Sequence, residues 1–161
     1  MKDPRSVFGR LENTRAETLQ ILDSLTQEEL DWRPAPADGE EEWSLGEIFM
    51  HLAIDEIYLR ELIALPLLEG IKPPDGVGFY PPPPPEGTSK VVIEFWFERA
   101  RLQTRRFFDE WPEGATLDLT HEGGLQAMNG LEWFEGYAGH EVFHHRQIAS
   151  VIAQLPQGLR N

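Results

Sequence analysis

Trp43-Ser44-Leu45-Gly46-Glu47-Ile48-Phe49-Met50-His51-Leu52 is the stretch that decides the fold. Ser44 and Glu47 have the Ser-x-x-Glu spacing of a capping box, in which two side chains satisfy two otherwise orphaned backbone N–H groups of a helix start. Trp43 just outside it and Ile48 one turn in can close over the start as a hydrophobic staple. Such a cap contributes about 0.5–2 kcal/mol. From there Leu45, Ile48, Leu52, Leu59, Leu62 and Ile63 keep the spacing of a helix with one apolar face. Pro66 is expected to stop this helix after roughly 30 Å, at about 1.5 Å per residue.

Working outward, three more helices are expected. Upstream, Asp3 suits an N-cap and Pro4 the first turn. Phe8, Leu11, Thr18, Leu22 and Leu25 then form one stripe. Thr26-Gln27-Glu28-Glu29 reads as a capping box for a short extra turn carrying Leu30, ended by Trp32-Arg33-Pro34-Ala35-Pro36. Residues 37–42 read as an acidic loop. Downstream, residues 66–88 hold Pro73, Pro74, Gly76, Gly78 and five consecutive prolines at 81–85, which exclude a helix or a central strand. Five prolines favour an extended rod of about 15 Å. Between two amphipathic helices this reads as a stiff crossover rather than a docking segment for a proline-binding module. The third helix is expected over 89–111, with Ile93, Trp96, Ala100, Phe107 and Trp111 on one side and Arg99, Arg101, Arg105 and Arg106 mostly on the other. That basic run reads as a solvated face paired with local acids, ahead of an anion site. Residues 112–128, with Gly114, Gly123 and Gly124, read as a loop. Asn129-Gly130-Leu131-Glu132 is another capping box, opening a fourth helix to about Leu155 with Phe134, Tyr137, Ile148, Val151, Ile152 and Leu155 buried.

The expectation is therefore an all-α fold, a four-helix bundle with a long Pro-rich crossover between helices 2 and 3. A length of 161 residues favours a single domain over 1–161. Against 14 Lys and Arg stand 28 Asp and Glu, a formal charge of −14, which deprives nucleic-acid or anionic-membrane binding of its electrostatic term. Cysteine is absent, so disulfides, thiolate-held metals and thiol nucleophiles are excluded. No apolar run approaches the roughly 20 residues of a membrane helix, and no apolar signal follows Met1-Lys2-Asp3-Pro4-Arg5, so a cytoplasmic location is expected.

Five histidines carry the chemistry: His51, His121, His140, His144 and His145. His140 and His144 are one helical turn apart, on a face shared with Tyr137, Ile148 and Val151. Two buried imidazoles without partners are costly, and a divalent metal would satisfy both. His140-Glu141-Val142-Phe143-His144 also matches H-E-x-x-H, the pattern that pairs two zinc ligands with a general-base Glu. The match to a protease is incomplete, because no His, Asp or Glu follows His145 to complete the ligand set. His51, flanking the core face of the second helix, is the expected third ligand, with Asp55 one turn later. Three His ligands leave a position for water, the pattern of a catalytic site. His145 is expected not to ligate, and His121 to lie exposed in its loop.

These residues resemble a known family. The stretch Trp43 to Leu52, with Glu56 after it, resembles the second helix of DinB/YfiT-like proteins. His140-Glu141-Val142-Phe143-His144-His145-Arg146-Gln147-Ile148 resembles their fourth, and Leu25 to Pro34 their first connection. The resemblance implies an up-down-down-up bundle and a divalent ion, zinc or nickel, held by His51, His140 and His144. It implies thiol-dependent transferase or isomerase chemistry in some members, frequent homodimers, and no DNA binding despite the family's name.

Two functions follow as expectations. One is a metal-dependent enzyme, a thiol S-transferase or hydrolase acting on a small electrophilic molecule. In it the ion acidifies a water or a low-molecular-weight thiol cosubstrate. Glu141 relays a proton or orients a ligand, and Asp55 and Gln147 fix imidazole tautomers from behind. The alternative is a non-catalytic metal- or ligand-binding helical module. Gly136 and Gly139, just before the His pair, could open space for a substrate or permit close helix packing.

Overall fold

The structure is a computed structural model and describes residues 3–36, 42–78, 81–122 and 126–159. Most of residues 37–42, and Gly123 and Gly124, lie outside the described residues. Among the described residues the fold is mostly helical, with one two-stranded antiparallel sheet. Its elements are α1 (Pro4–Asp23), α2 (Gln27–Asp31), α3 (Leu45–Leu59), a π-turn (Arg60–Ala64), α4 (Leu65–Leu68), α5 (Lys90–Asp109), β1 (Thr120–Glu122), β2 (Ala127–Asn129) and α6 (Gly130–Gln154).

The helix starts are where the local chemistry puts them. Asp3 caps α1, accepting from the Arg5 N–H, with Pro4 in the first turn. Reciprocal capping boxes open α2 (Thr26 with Glu29), α3 (Ser44 with Glu47) and α6 (Asn129 with Glu132). α3 packs on α5 and α6, and α1 packs on α6 and α5. Two apolar clusters fill the interior. One joins Leu22, Leu30, Leu45, Ile48, Phe49, Leu52, Phe97 and Ile148. The other joins Val7, Leu11, Ile63, Leu67, Leu131, Trp133, Phe134 and Tyr137.

Three expectations need correction. Pro66 does not stop the second helix, which runs on to Leu68 before Gly70 turns out at φ +78°. The reason is the π-turn ahead of it. The Leu65 N–H donates to the Arg60 carbonyl, five residues back, and this wider turn removes the clash a proline ring makes with a regular preceding turn. The same extra residue shifts the stripe, so Leu62, expected in the core, is 44% exposed. On α5 the buried face is Ile93, Phe97, Ala100, Arg101 and Thr104, and Trp96 is 37% exposed. Trp96 instead walls an apolar groove of about 480 Å³ with Met50, Ile54, Tyr58, Leu62, Pro82 and Pro85. Finally, within the expected loop β1 and β2 pair as antiparallel strands, with His121 opposite Met128 and both buried.

Candidate metal centre

The α3 cap sets the phase that brings His51 to α6, where His140 and His144 lie one turn apart. The Nε2 atoms of His51 and His144 each lie 3.1 Å from the Nε2 of His140. One ligand atom from each of the three residues falls within 4.8 Å of the other two. Zinc–imidazole bonds of about 2.0–2.1 Å would place ligand atoms about 3.3 Å apart in a tetrahedron and about 3.0 Å apart at adjacent octahedral corners. The observed 3.1 Å steps lie between these.

Hydrogen bonding among the rings does not account for this cluster. The His144 Nδ1–H donates to Gln147 Oε1 at 2.7 Å, which leaves Nε2 of the neutral ring as a lone pair. A proton on His140 Nε2 can point to only one of its two imidazole neighbours, whereas a cation satisfies all three. Gln147 thus sits where a group that fixes a ligand's tautomer should sit. Trp43 covers His51, with ring centroids 4.9 Å apart.

The electrostatics favour neutral, metal-ready rings. Burial, and then the charges of His144 and His140, bring His51 down to about 3. Burial, and then His144, bring His140 down to about 4. Burial lowers His144 as well, against the Gln147 hydrogen bond, which raises it. Asp55 lies beside the cluster with no exposed surface, its Oδ2 3.4 Å from His140 Nε2. Burial, and then the neighbouring Glu56 charge, push its carboxyl up to about 7.

Glu141 sits deeper, in a buried four-residue charge network with one member from each long helix. Arg15 of α1 meets Glu141 of α6 at 2.7 Å and Glu56 of α3 at 3.0 Å. Arg101 of α5 meets Glu56 at 2.9 Å and Glu141 at 3.8 Å. The Thr18 hydroxyl lies 2.6 Å from Glu141, Thr104 donates to Glu56 at 2.7 Å, and Tyr137 accepts from Arg15 and donates to the Leu52 carbonyl. Two arginines and two glutamates leave the network neutral. Sequence reading missed Arg15 and placed Arg101 mostly among solvated arginines. The signal was there: Arg15 falls on the apolar phase of α1 between Leu11 and Leu22, and Arg101 follows Ala100 on that of α5.

The remaining histidines are elsewhere. His145 Nε2 lies 2.8 Å from the Thr18 hydroxyl, away from the three-His group. His121 is not exposed. It is buried in β1, hydrogen-bonded to the Val77 carbonyl and packed near Trp133, because its pairing opposite Met128 turns its side chain inward. The Gly139 site is open, since a Cβ there would meet nothing within 4 Å, so close helix packing does not explain this glycine.

Compared with known protein families, residues 10–148 match the DinB superfamily. The chain belongs to the DinB superfamily. The matched span takes in His51, His140, His144 and the whole buried charge network. No curated protein and no solved structure matches this DinB-superfamily chain. No helix among its described residues is long and apolar enough to cross a membrane.

Proposed function

We propose that this protein is a metal-dependent enzyme of the DinB superfamily. It holds one divalent ion, zinc or nickel, on His51, His140 and His144, and acts on a small electrophilic molecule as a thiol S-transferase or a hydrolase. The observation that carries the reading is the convergence of three Nε2 atoms at metal-ligand spacing among buried imidazoles. When bound, the ion supplies Lewis-acid chemistry that acidifies a water or a low-molecular-weight thiol. The chain's own residues do the rest. Gln147 holds His144 in one tautomer and Trp43 shields His51. Glu141, its oxygens engaged by Arg15 and Thr18, acts as a positioning residue that anchors α6 under the two histidines.

The architecture proposed for this single domain is an up-down-down-up four-helix bundle of α1, α3, α5 and α6, with residues 81–85 in a crossover between α3 and α5. The pairwise packing of those helices supports it. A homodimer in the cytoplasm, with no nucleic-acid or membrane partner, completes the reading. The alternative is a non-catalytic module in which the ion is a structural pin.

The test is a rate measurement. Zinc- or nickel-loaded protein is mixed with a low-molecular-weight thiol and a chlorodinitrobenzene-type electrophile, beside apo-protein and His144→Ala. A rate well above both controls is expected. A rate equal to that of the apo-protein, with metal bound and a panel of ester and amide substrates also untouched, favours the pin.

A further inference from the structure

Asp55 has both carboxylate oxygens buried without a hydrogen-bond partner among the described residues, and no surface open to water. Such a group is costly, because a buried charge is stable only when paired, hydrogen-bonded or beside a metal. The groups around it narrow what it serves. Arg15 and Arg101 make their ion pairs with Glu56 and Glu141, and the remaining buried Nη1 of Arg15 makes no hydrogen bond to Asp55. Its chain neighbour Glu56 is an anion. Among the described residues its Oδ2 meets His140, at Nε2 and 3.4 Å.

That choice of nitrogen matters. A carboxylate that fixes a ligand's tautomer bonds the ring nitrogen turned away from the ion, as Gln147 does at Nδ1 of His144. Asp55 faces the nitrogen that points at His51 and His144. It therefore stands on the ion's side of the imidazole.

We propose that Asp55 is the anionic member of the metal centre, compensating the ion's charge and accepting a hydrogen bond from a proton-bearing ligand on it. The inference rests on the metal reading above and extends it from three neutral donors to a site with a built-in negative charge. Such a site holds a divalent cation more firmly than three imidazoles alone and favours ligands that carry a proton to share, a water or a thiol.

The test titrates Zn²⁺ into the apo full-length chain against a chromophoric chelator, for wild type, Asp55→Asn and His144→Ala, with melting curves of each apo-protein. Wild type is expected to bind one ion and His144→Ala none. Asp55→Asn should bind about tenfold to a hundredfold more weakly, while apo Asp55→Asn melts no lower than apo wild type. Asp55→Leu, of similar volume and without charge, makes the same test should the amide fold poorly. Wild-type affinity in the Asp55 variants, with His144→Ala dead, would overturn this inference and leave the three-His site standing. Apo variants melting far below apo wild type would also overturn it, since the carboxylate would then be pairing His140 in the metal-free protein. Failure of wild type to bind would sink the metal reading itself.

Discussion

At the scale of single residues, Glu141 and Gly139 sit within three positions of each other on α6 and answer to opposite rules. Glu141 is fully buried and neutralises Arg15. Replacing it with Gln would leave two buried guanidiniums, Arg15 and Arg101, on the single carboxylate of Glu56, a loss of about 3–5 kcal/mol. Urea unfolding of Glu141→Gln should show a loss of that size. A variant as stable as wild type would free Glu141 from the anchoring role and return it to the chemistry. Gly139 is an exposed helical residue with open space around it. Gly139→Ala should therefore stabilise by up to about 1 kcal/mol through helix propensity alone, read as a higher urea midpoint at an unchanged slope. The His pair was legible because i, i+4 spacing is a local rule. The partners of Glu141 were not, since Arg15 and Thr18 lie more than a hundred positions away and no local pattern links them.

At the scale of elements, the helix starts were legible and the interruption was not. Capping boxes consist of neighbours in sequence, and those at Thr26, Ser44 and Asn129 form as read. The π-turn answers to tertiary demands. Arg60 within it is buried and donates to the Ala100 carbonyl, Thr104 and Gln103, stitching α3 to α5. Pro66 then lies inside a continuing helix where a sequence rule ends it. The start of α6 packs on this same irregular stretch, so that a Cβ on Gly130 would lie 2.5 Å from the Ala64 carbonyl oxygen and from the Leu68 side chain. Gly130→Ala must push these apart, costing about 1–3 kcal/mol. Thermal denaturation should place it clearly below wild type. A neutral substitution would mean the contact between α6 and the π-turn gives way easily. The misassigned faces of Leu62 and Trp96 share one origin: helical periodicity identifies a stripe, while the neighbours decide which edge of it is covered.

At the scale of the whole molecule, one neutral network ties the four long helices together, and its acid response should be the protein's own. Burial alone pushes the Glu56 carboxyl up. The Arg101 and Arg15 guanidiniums outweigh that and hold it down to about 2, from an ordinary value of 4.5. A carboxylate lowered in the folded state stabilises the fold fully above its ordinary value and ceases to as pH falls through its folded value. Stability should therefore decline as pH drops from about 4.5 toward 2, by on the order of 3 kcal/mol from this group. Urea midpoints across that window at fixed ionic strength measure it, and a flat profile would contradict the network's role. The same four-helix convergence fixes the distance between α3 and α6, and hence the spacing of His51 from His140 and His144.

In the proposed function, His51, His140 and His144 hold one divalent ion. Mass spectrometry of metal bound to the untagged protein, beside His51→Ala and His144→Ala, tests it most directly. About one divalent ion per chain is expected in wild type and none in either variant. Metal-free wild type that takes up no zinc or nickel on titration would contradict it.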